Sequence, residues 1–200
     1  MSWLSFFLAH TLFPLGDMTK EQVRNVAESE DFVTAKKKDS QDICFIPDGD
    51  YRSFLERYTG KDYPAGDYLD LSGKVVGKHS GAVGYTIGQR KGLGIALGEP
   101  AYVCSKDMAA NTVTVGPDAA LFSKSLIAED MNWIAIESLT NPIRCKARIR
   151  YRHTEQPATV YPLPDGKVKV EFDEPQRAIT PGQTVVLYDC DTVIAGGTIA

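Results

Sequence analysis

The chain has 200 residues, of which 43% are hydrophobic and 24% are charged. These proportions are ordinary for a soluble globular protein of one large or two small domains. The formal net charge of −4 excludes nucleic-acid binding by overall attraction, so any such binding must depend on local basic patches. Three patches of this kind occur, at residues 36–38, 90–91 and 144–152.

The four cysteines, Cys44, Cys104, Cys145 and Cys190, are far apart in the sequence. They form no Cys-x-x-Cys pair and no cluster with the three histidines, so we expect no metal site. We interpret Cys104, Cys145 and Cys190 as core residues of strands. Without a disulfide pattern or a convincing signal peptide, the cytoplasm is the simplest compartment. Residues 1–9 are apolar but too short to span a bilayer, so we expect no membrane association.

The first predicted element is a helix over residues 17–30. Asp17 or Thr19 can cap it, because either side-chain oxygen can accept hydrogen bonds from the unpaired amides of the first turn. Its apolar residues fall on one face, as expected for a helix packed on a neighbour. They are Val23, Val26 and Ala27. Residues 32–35 then read as a short strand or an extended link.

Cys44 is the candidate for covalent chemistry. A thiol is nucleophilic only as the thiolate, and the cations Lys36, Lys37 and Lys38 within eight residues favour that form and attract anionic substrates. The alternative is a small buried core residue, because Cys44 lies between isoleucine and phenylalanine. The residues alone leave both interpretations open.

A short helix is predicted over residues 49–58, and Gly60 and Pro64 end it. After this helix, the sequence pattern becomes typical of β-strands. Short runs alternate with turn residues and indicate a mostly β central domain. The predicted strands cover residues 66–71, 74–77, 101–105 and 112–116.

A glycine-rich segment, residues 84–95, lies between these strands. Its glycines allow the backbone to approach a phosphate closely, while Arg90 and Lys91 supply charge and Gln89 adds hydrogen-bond donors. The spacing fits neither a Walker loop nor a dinucleotide fingerprint. The alternative is a glycine-rich connection with solvated charges.

The last section is read as a connector with helical texture at residues 121–133, followed by strands. In residues 143–151, four cations alternate with apolar residues, so one strand face is basic. These cations are Arg144, Lys146, Arg148 and Arg150. With Tyr151, Arg152 and His153 after them, they indicate a surface for RNA phosphates and bases, the alternative being a solvated face. Further strands are predicted at residues 158–161, 167–172, 183–188 and 192–199, and five or six antiparallel strands suit a small closed barrel.

Seven segments, in matching order and spacing from about residue 11 to the end, together resemble the bacterial tRNA-specific 2-thiouridylases. They are Leu-Phe-Pro-Leu-Gly-Asp at 12–17, Lys-Asp-Ser-Gln-Asp-Ile-Cys-Phe-Ile at 38–46, His-Ser-Gly at 79–81 with Tyr-Thr-Ile-Gly-Gln-Arg-Lys-Gly-Leu-Gly-Ile at 85–95, Arg-Tyr-Arg at 150–152, Phe-Asp-Glu-Pro-Gln at 172–176, Thr-Pro-Gly-Gln at 180–183, and Gly-Gly at 196–197.

The resemblance implies an enzyme that replaces the 2-oxygen of the wobble uridine of tRNA by sulfur, after adenylation of that oxygen with ATP and Mg. It implies that Cys44 carries the sulfur as a persulfide, and that Arg150, Tyr151 and Gln183 contact tRNA. The implied partners are tRNA and a persulfide sulfur-donor protein.

The chain departs from the family at its start, because the Ser-Gly-Gly-Val-Asp-Ser loop and the second cysteine of the ATP-pyrophosphatase domain are missing. We therefore expect a C-terminal fragment that binds no ATP and does not catalyse thiolation alone. Its expected fold is mainly β with some α. The expected parts are a remnant of the ATP-pyrophosphatase domain at 1–45, a central mostly β domain at 46–122, and an elongation-factor-like barrel at 123–200.

Two other functions remain as alternatives. One is a tRNA-binding module without catalysis, and the other is a methyltransferase acting on the same tRNA base. A methyl-donor site commonly follows a glycine-rich strand-turn-helix signature, and none is visible in this sequence.

Overall fold

The computed structural model describes residues 10–37 and 51–200. These residues belong to two compact units, one within residues 1–50 and the other formed by residues 51–200. Strands dominate the described secondary structure, and six of them close into a barrel, which confirms the predicted mainly β class with some α.

The first unit contains helix α1, Lys20–Ser29. Its cap is Thr19 and not Asp17: the Thr19 Oγ1 accepts a hydrogen bond from the Gln22 backbone amide at 3.3 Å, and the Gln22 Oε1 accepts one from the Thr19 amide at 2.7 Å. Two of the unpaired amides at the helix start are thereby satisfied. The helix buries none of its residues in the described part of the chain.

The prediction of a strand or extended link at residues 32–35 is wrong. The Ala35 amide donates to the Phe32 carbonyl at 2.9 Å, and the Lys37 amide donates to the Thr34 carbonyl at 3.0 Å, so the segment forms consecutive turns. Turns satisfy backbone groups locally, whereas a strand needs a neighbouring strand.

The second unit begins with helix α2, Tyr51–Thr59, as predicted. The ring of Phe54 lies against those of Tyr51 and Tyr58, with centroid distances of 6.4 and 5.7 Å. The helix ends at Gly60, whose φ of +66° is a left-handed conformation that glycine adopts without a steric penalty.

A four-stranded sheet follows, made of β1 (Gly66–Leu69), β2 (Val75–His79), β3 (Tyr102–Asp107) and β4 (Thr112–Gly116). The order is β2-β1-β4-β3, with β1 and β4 parallel and the other neighbours antiparallel. All four strands match predicted runs within a few residues.

Side chains from the connection between β2 and β3 complete the core of this sheet. Tyr85 and Leu93 are buried, and the buried Tyr68 hydroxyl of β1 donates to the Leu93 carbonyl at 2.8 Å. The glycine-rich segment is therefore anchored on the sheet, so its exposed residues have defined positions.

The remaining strands form a closed antiparallel barrel in the order β10-β5-β8-β7-β6-β9. They are β5 (Phe122–Trp133), β6 (Ile143–Arg148), β7 (Gln156–Pro162), β8 (Val168–Arg177), β9 (Thr184–Asp189) and β10 (Thr192–Ile199). The barrel is filled by alternate residues of each strand, including Phe172, Leu187 and Val170, each 2% exposed or less.

The interpretation of residues 121–133 as a connector with helical texture is wrong. A one-turn 3-10 helix, Asp118–Leu121, leads directly into β5. Asp130 interrupts the alternation of this strand with a φ of +52°, where the pairing with β10 shifts register. Opposite this bulge, a Cβ on Gly197 would lie 2.9 Å from the Glu129 backbone carbonyl oxygen, which cannot move aside as a side chain can, so only glycine fits there.

Neither helix in the described ranges has the length and apolarity that a helix needs to cross a bilayer.

Candidate nucleic-acid interface

Strand β6 presents a basic outer face, as its alternation predicts. Cys145 and Ala147 point into the barrel and are buried, while Arg144 and Lys146 are exposed on the other side. The strand ends at Arg148, so Arg150 lies beyond it in a turn. The four predicted cations therefore do not all belong to one strand face.

Acidic neighbours engage two of these cations. The Arg144 guanidinium donates to both carboxylate oxygens of Asp173, one of them at 2.6 Å, and this contact lowers the pKa of Asp173. Arg148 lies 3.3 Å from a carboxylate oxygen of Glu155 and donates to the Tyr151 carbonyl at 2.8 Å. Arg144 and Arg148 therefore offer less free positive charge to RNA than the sequence suggests.

The turn after β6 is held from both sides. The Arg150 Nη2 donates to the Arg177 carbonyl at 3.0 Å, and the His153 amide donates to the Arg150 carbonyl at 3.0 Å. The Tyr151 side chain is 90% exposed between them. The turn thus presents an aromatic ring beside a cation with no carboxylate partner within the described residues, a combination suited to stacking on bases and pairing with phosphate.

His153 anchors this turn as a neutral ring. The Gln176 amide nitrogen donates to the Glu174 carbonyl at 2.7 Å, so the Gln176 oxygen faces the His153 Nε2, 3.0 Å away, as an acceptor. The His153 Nδ1 is buried without a hydrogen-bond partner in the described part of the molecule. Burial lowers the pKa of His153, and the neighbouring Arg150 and Arg148 oppose its protonation further.

A groove of about 240 Å³ joins this turn to the start of β9. Its lining residues are Arg148, Arg150, Tyr151, Gln183, Thr184, Val186 and Tyr188. Strands β6 and β9 are antiparallel neighbours, with Arg148 opposite Val186, so the end of β6 lies beside the start of β9. The three residues that resemblance assigned to tRNA contact, Arg150, Tyr151 and Gln183, therefore lie in one groove.

Sequence reasoning missed Thr184, Val186 and Tyr188 as lining residues of this groove. Tyr188 lies opposite Lys146 in the β6–β9 pairing, some forty residues along the chain. These residues could have been predicted only from the pairing of β6 with β9, and no local sequence pattern indicates that pairing.

The glycine-rich loop, residues 86–92, is stabilised by the side chain that was expected to add donors. The Gln89 Oε1 accepts from the Thr86 amide at 3.0 Å, and its Nε2 donates to the Lys91 carbonyl at 3.0 Å. These bonds close the loop and engage one of the two N–H donors of the Gln89 amide, so its proposed contact with a ligand stays a prediction. Arg90 and Lys91 remain exposed.

The remaining four predicted site residues belong to the first part of the sequence. Lys36 and Lys37 are exposed in the first unit, and Lys38 and Cys44 lie outside the described residues. The structure therefore does not describe the proposed persulfide position.

The described cysteines differ from one another. Cys145 is buried, and burial raises the pKa of its thiol to about 11; burial also raises the pKa of Cys104. The expectation that Cys190 is a core strand residue is wrong, because it lies in the exposed β9–β10 turn with a φ of +50°. None of the described ranges brings three or more His, Cys, Asp or Glu side chains together as potential metal ligands.

Three family models match consecutive parts of the chain. A tRNA methyl transferase HUP domain matches residues 5–48, a tRNA methyl transferase PRC-barrel domain matches residues 52–117, and an aminomethyltransferase beta-barrel domain matches residues 123–199. The last two ranges correspond to the region of the central sheet and to the barrel.

Curated relatives carry a more specific name. The tRNA-specific 2-thiouridylase MnmA of Acetivibrio thermocellus is 52% identical over 192 residues, 96% of this chain and 54% of the relative. The protein of the same name from Halothermothrix orenii is 51% identical over 195 residues, 97% of this chain and 54% of the relative. That of Symbiobacterium thermophilum is 51% identical over 192 residues, 96% and 49% respectively.

The chain thus spans about half the length of the curated relatives it matches. Within that half, the match extends over nearly every residue, and the family models follow one another in the order of the folded parts. The resemblance found in the seven sequence motifs is confirmed, and the chain belongs to the tRNA-specific 2-thiouridylase family.

Proposed function

We propose that this chain forms the tRNA-holding part of an enzyme that transfers sulfur to C2 of the wobble uridine. The observation that carries the proposal is the groove in which Arg150, Tyr151 and Gln183 meet. An acidic protein can bind RNA only through such local clusters of cations and exposed rings. The names of the relatives supply the substrate class, tRNA.

In this proposal, Arg150 pairs with a backbone phosphate and the exposed Tyr151 ring stacks on an unpaired base. Gln183, which is exposed at the other side of the groove, supplies hydrogen bonds that fix the nucleotide. RNA is recognised mainly through such unstacked bases and phosphates, because side chains cannot enter its narrow major groove.

Cys44 is proposed as the sulfur carrier, on resemblance alone. A persulfide donor protein would pass its terminal sulfur to the Cys44 thiolate, which forms a new S–S bond while the donor cysteine leaves as a thiolate. The three described cysteines are free thiols, which supports a reducing compartment, and we place the protein in the cytoplasm.

ATP with Mg is proposed for the whole enzyme only. In the described part of the first unit, residues 10–37, Gly16 is the single glycine, and it lies in a turn with no lysine beside it. These residues do not fit a triphosphate, which needs a glycine-rich loop with a cation.

Binding of unmodified tRNA across a salt series tests the proposal. Arg150→Ala should weaken binding and reduce the slope of log K against log salt by roughly 0.7 to 0.9, the contribution of one phosphate contact. The matched control is Arg144→Ala, a neighbouring arginine already engaged by Asp173, which should change the slope less. Absence of binding by the wild type, or equal effects of the two variants, would overturn the proposal.

Tyr151 gives a separate test. Tyr151→Ala should weaken binding about 5- to 150-fold, the value of about 1 to 3 kcal/mol for one stacked base, without changing the salt slope. Tyr151→Phe should keep most of the affinity, because the ring remains. A change in the salt slope would contradict a stacking role.

The role of Cys44 is tested by its reaction rate with a thiol reagent at pH 7. Cys190→Ser removes the exposed thiol of the described residues, so the fast phase that remains reports Cys44. A rate above that of Cys190 in the Cys44→Ser variant supports an activated thiolate. A slow rate would favour the alternative of a tRNA-binding module without catalysis.

A tRNA methyltransferase remains the other candidate, because two of the matched family models carry that description. Neither α-helix of the described residues directly follows a strand, so the described ranges hold no strand-turn-α-helix for a methyl donor. Binding of a methyl-donor cofactor to the chain would favour this alternative.

A further inference from the structure

Arg177, the last residue of β8, reaches from the barrel to the central sheet. Its Nε and Nη2 both donate to one carboxylate oxygen of Asp118, at 3.0 and 2.9 Å. Its guanidinium carbon also lies 5.4 Å from the centre of the Tyr102 ring in β3. The side chain thus contacts both the segment that joins the sheet to the barrel and the sheet itself.

The glycine-rich loop lies directly against this arginine. A Cβ at Gly88 would be 3.3 Å from the Arg177 Nη1 and 3.2 Å from the Ala178 Cβ. The guanidinium carbon of Arg90, a cation of this loop, lies 6.0 Å from the centre of the same Tyr102 ring. Two arginines therefore share one aromatic ring, and the carboxylate of Asp118 offsets the charge of one of them.

The backbone of residues 177–178 holds the turn after β6, which contains Arg150 and Tyr151. The Arg177 carbonyl accepts the hydrogen bond from Arg150, and the Ala178 amide donates to the Leu121 carbonyl at 2.8 Å. Ala178 is 5% exposed with a φ of +55°, a conformation that a non-glycine residue keeps only when its surroundings fix it. Arg177 consequently contacts the loop through its side chain and the turn through its backbone.

We infer that Arg177, held by Asp118, is a positioning residue that fixes the loop of Arg90 and Lys91 beside the turn of Arg150. The two cationic segments then form one preorganised surface for an RNA backbone, instead of two patches that must be ordered on binding. This inference rests on the proposed tRNA-binding function. Neither the loop motif nor the turn motif assigns a role to Arg177 or Asp118.

Asp118→Asn tests this role because the loss of a negative charge and the loss of the Arg177 contact should change the affinity for tRNA in opposite directions. Removing a negative charge beside a cationic surface should tighten RNA binding if only charge matters. If Asp118 acts by holding Arg177, the variant should instead bind unmodified tRNA about 3- to 10-fold more weakly and with a smaller salt slope, because fewer phosphates are contacted together.

The matched control is Glu129→Gln, which makes the same change of charge and breaks another ion pair of the barrel, that with Lys167 at 2.7 Å. It should leave binding unchanged or slightly tighter. A second variant, Arg177→Lys, keeps the charge but cannot donate two nitrogens to one oxygen from a planar group, and should weaken binding as Asp118→Asn does. Hydrogen exchange and unfolding curves on all variants show whether each remains folded.

The results separate the two proposals. Weaker binding by Asp118→Asn and Arg177→Lys, with Glu129→Gln like the wild type, supports the positioning role. Tighter or unchanged binding by Asp118→Asn, or wild-type binding by Arg177→Lys, overturns that role and leaves the tRNA-binding function standing. Absence of tRNA binding by the wild type overturns both.

Discussion

The packing of the glycine-rich loop against the barrel can be tested by comparing the free energies of unfolding of two glycine-to-alanine variants. Gly88 and Gly94 both have left-handed backbones, with φ of +86° and +69°. A Cβ at Gly88 would meet Ala178 at 3.2 Å, whereas a Cβ at Gly94 would have no atom within 4 Å. Alanine at either position therefore carries the same kind of backbone strain, but only Gly88→Ala also adds a contact that is tighter than ordinary van der Waals distance.

The strain of a left-handed alanine is about 1 to 2 kcal/mol, partly offset in both variants by the lower entropy of the unfolded chain. Insertion of a methyl group into a packed contact adds about 1 to 3 kcal/mol. We therefore expect Gly88→Ala to lower the free energy of unfolding by about 1 to 3 kcal/mol more than Gly94→Ala does.

Urea unfolding of both variants gives this difference, because the backbone terms nearly cancel in the comparison. Hydrogen exchange then shows where the strain is released. The Gly88 amide donates to the Val103 carbonyl at 2.8 Å, and the Val103 amide donates to the Gln89 carbonyl at 2.9 Å, so both amides should exchange faster in Gly88→Ala. Equal costs for the two variants, within about 0.5 kcal/mol, would refute a packed contact between loop and barrel.

Three further predictions concern the barrel and its turn. Phe172 is 2% exposed, so Phe172→Ala should lower the free energy of unfolding by about 3 to 5 kcal/mol; Phe122 is 46% exposed, so Phe122→Ala should lower it by less than half as much. Equal losses measured by urea unfolding would contradict the assigned core. Burial lowers the pKa of His153 below its ordinary value of 6.5, so the unfolded chain binds a proton at His153 more readily than the folded chain does. The free energy of unfolding should therefore fall as the pH drops below about 6.5, and it should fall less in His153→Gln; identical pH profiles from thermal unfolding would contradict this. In a Cys44→Ser background, a thiol reagent should modify exposed Cys190 at once and buried Cys145 only on unfolding, and early labelling of Cys145 would contradict its burial.

Local chemistry in the sequence was enough to predict several elements. Three features depend on residues within a few positions of one another: the cap of α1, for which Thr19 was one of two candidates, the helix end at Gly60, and the alternation of charged and apolar side chains in β6. Such signals are short-ranged, so they can be read without knowing the fold. The seven motifs likewise identified the family, because their residue types and order are a property of the chain alone.

The tertiary structure decided what depends on distant partners. Strand β5 was missed because its positive-φ bulge at Asp130 breaks the alternation, and its hydrogen bonds go to β8 and β10, which come later in the chain. The basic face of β6 was overestimated for the same reason, since the acid that pairs with Arg144 is Asp173, on a strand that is not its neighbour in the sequence.

The candidate site shows the same division. Arg150, Tyr151 and Gln183 were named from motifs, but the groove that joins them results from the pairing of β6 with β9, and the contact of Arg177 with Asp118 and Tyr102 results from the packing of barrel and sheet. The sequence by itself determined which residue types are present and which local segments they form. Only the fold decided which of them meet, because hydrogen bonds and ion pairs act over a few ångströms in space, whatever the separation along the chain.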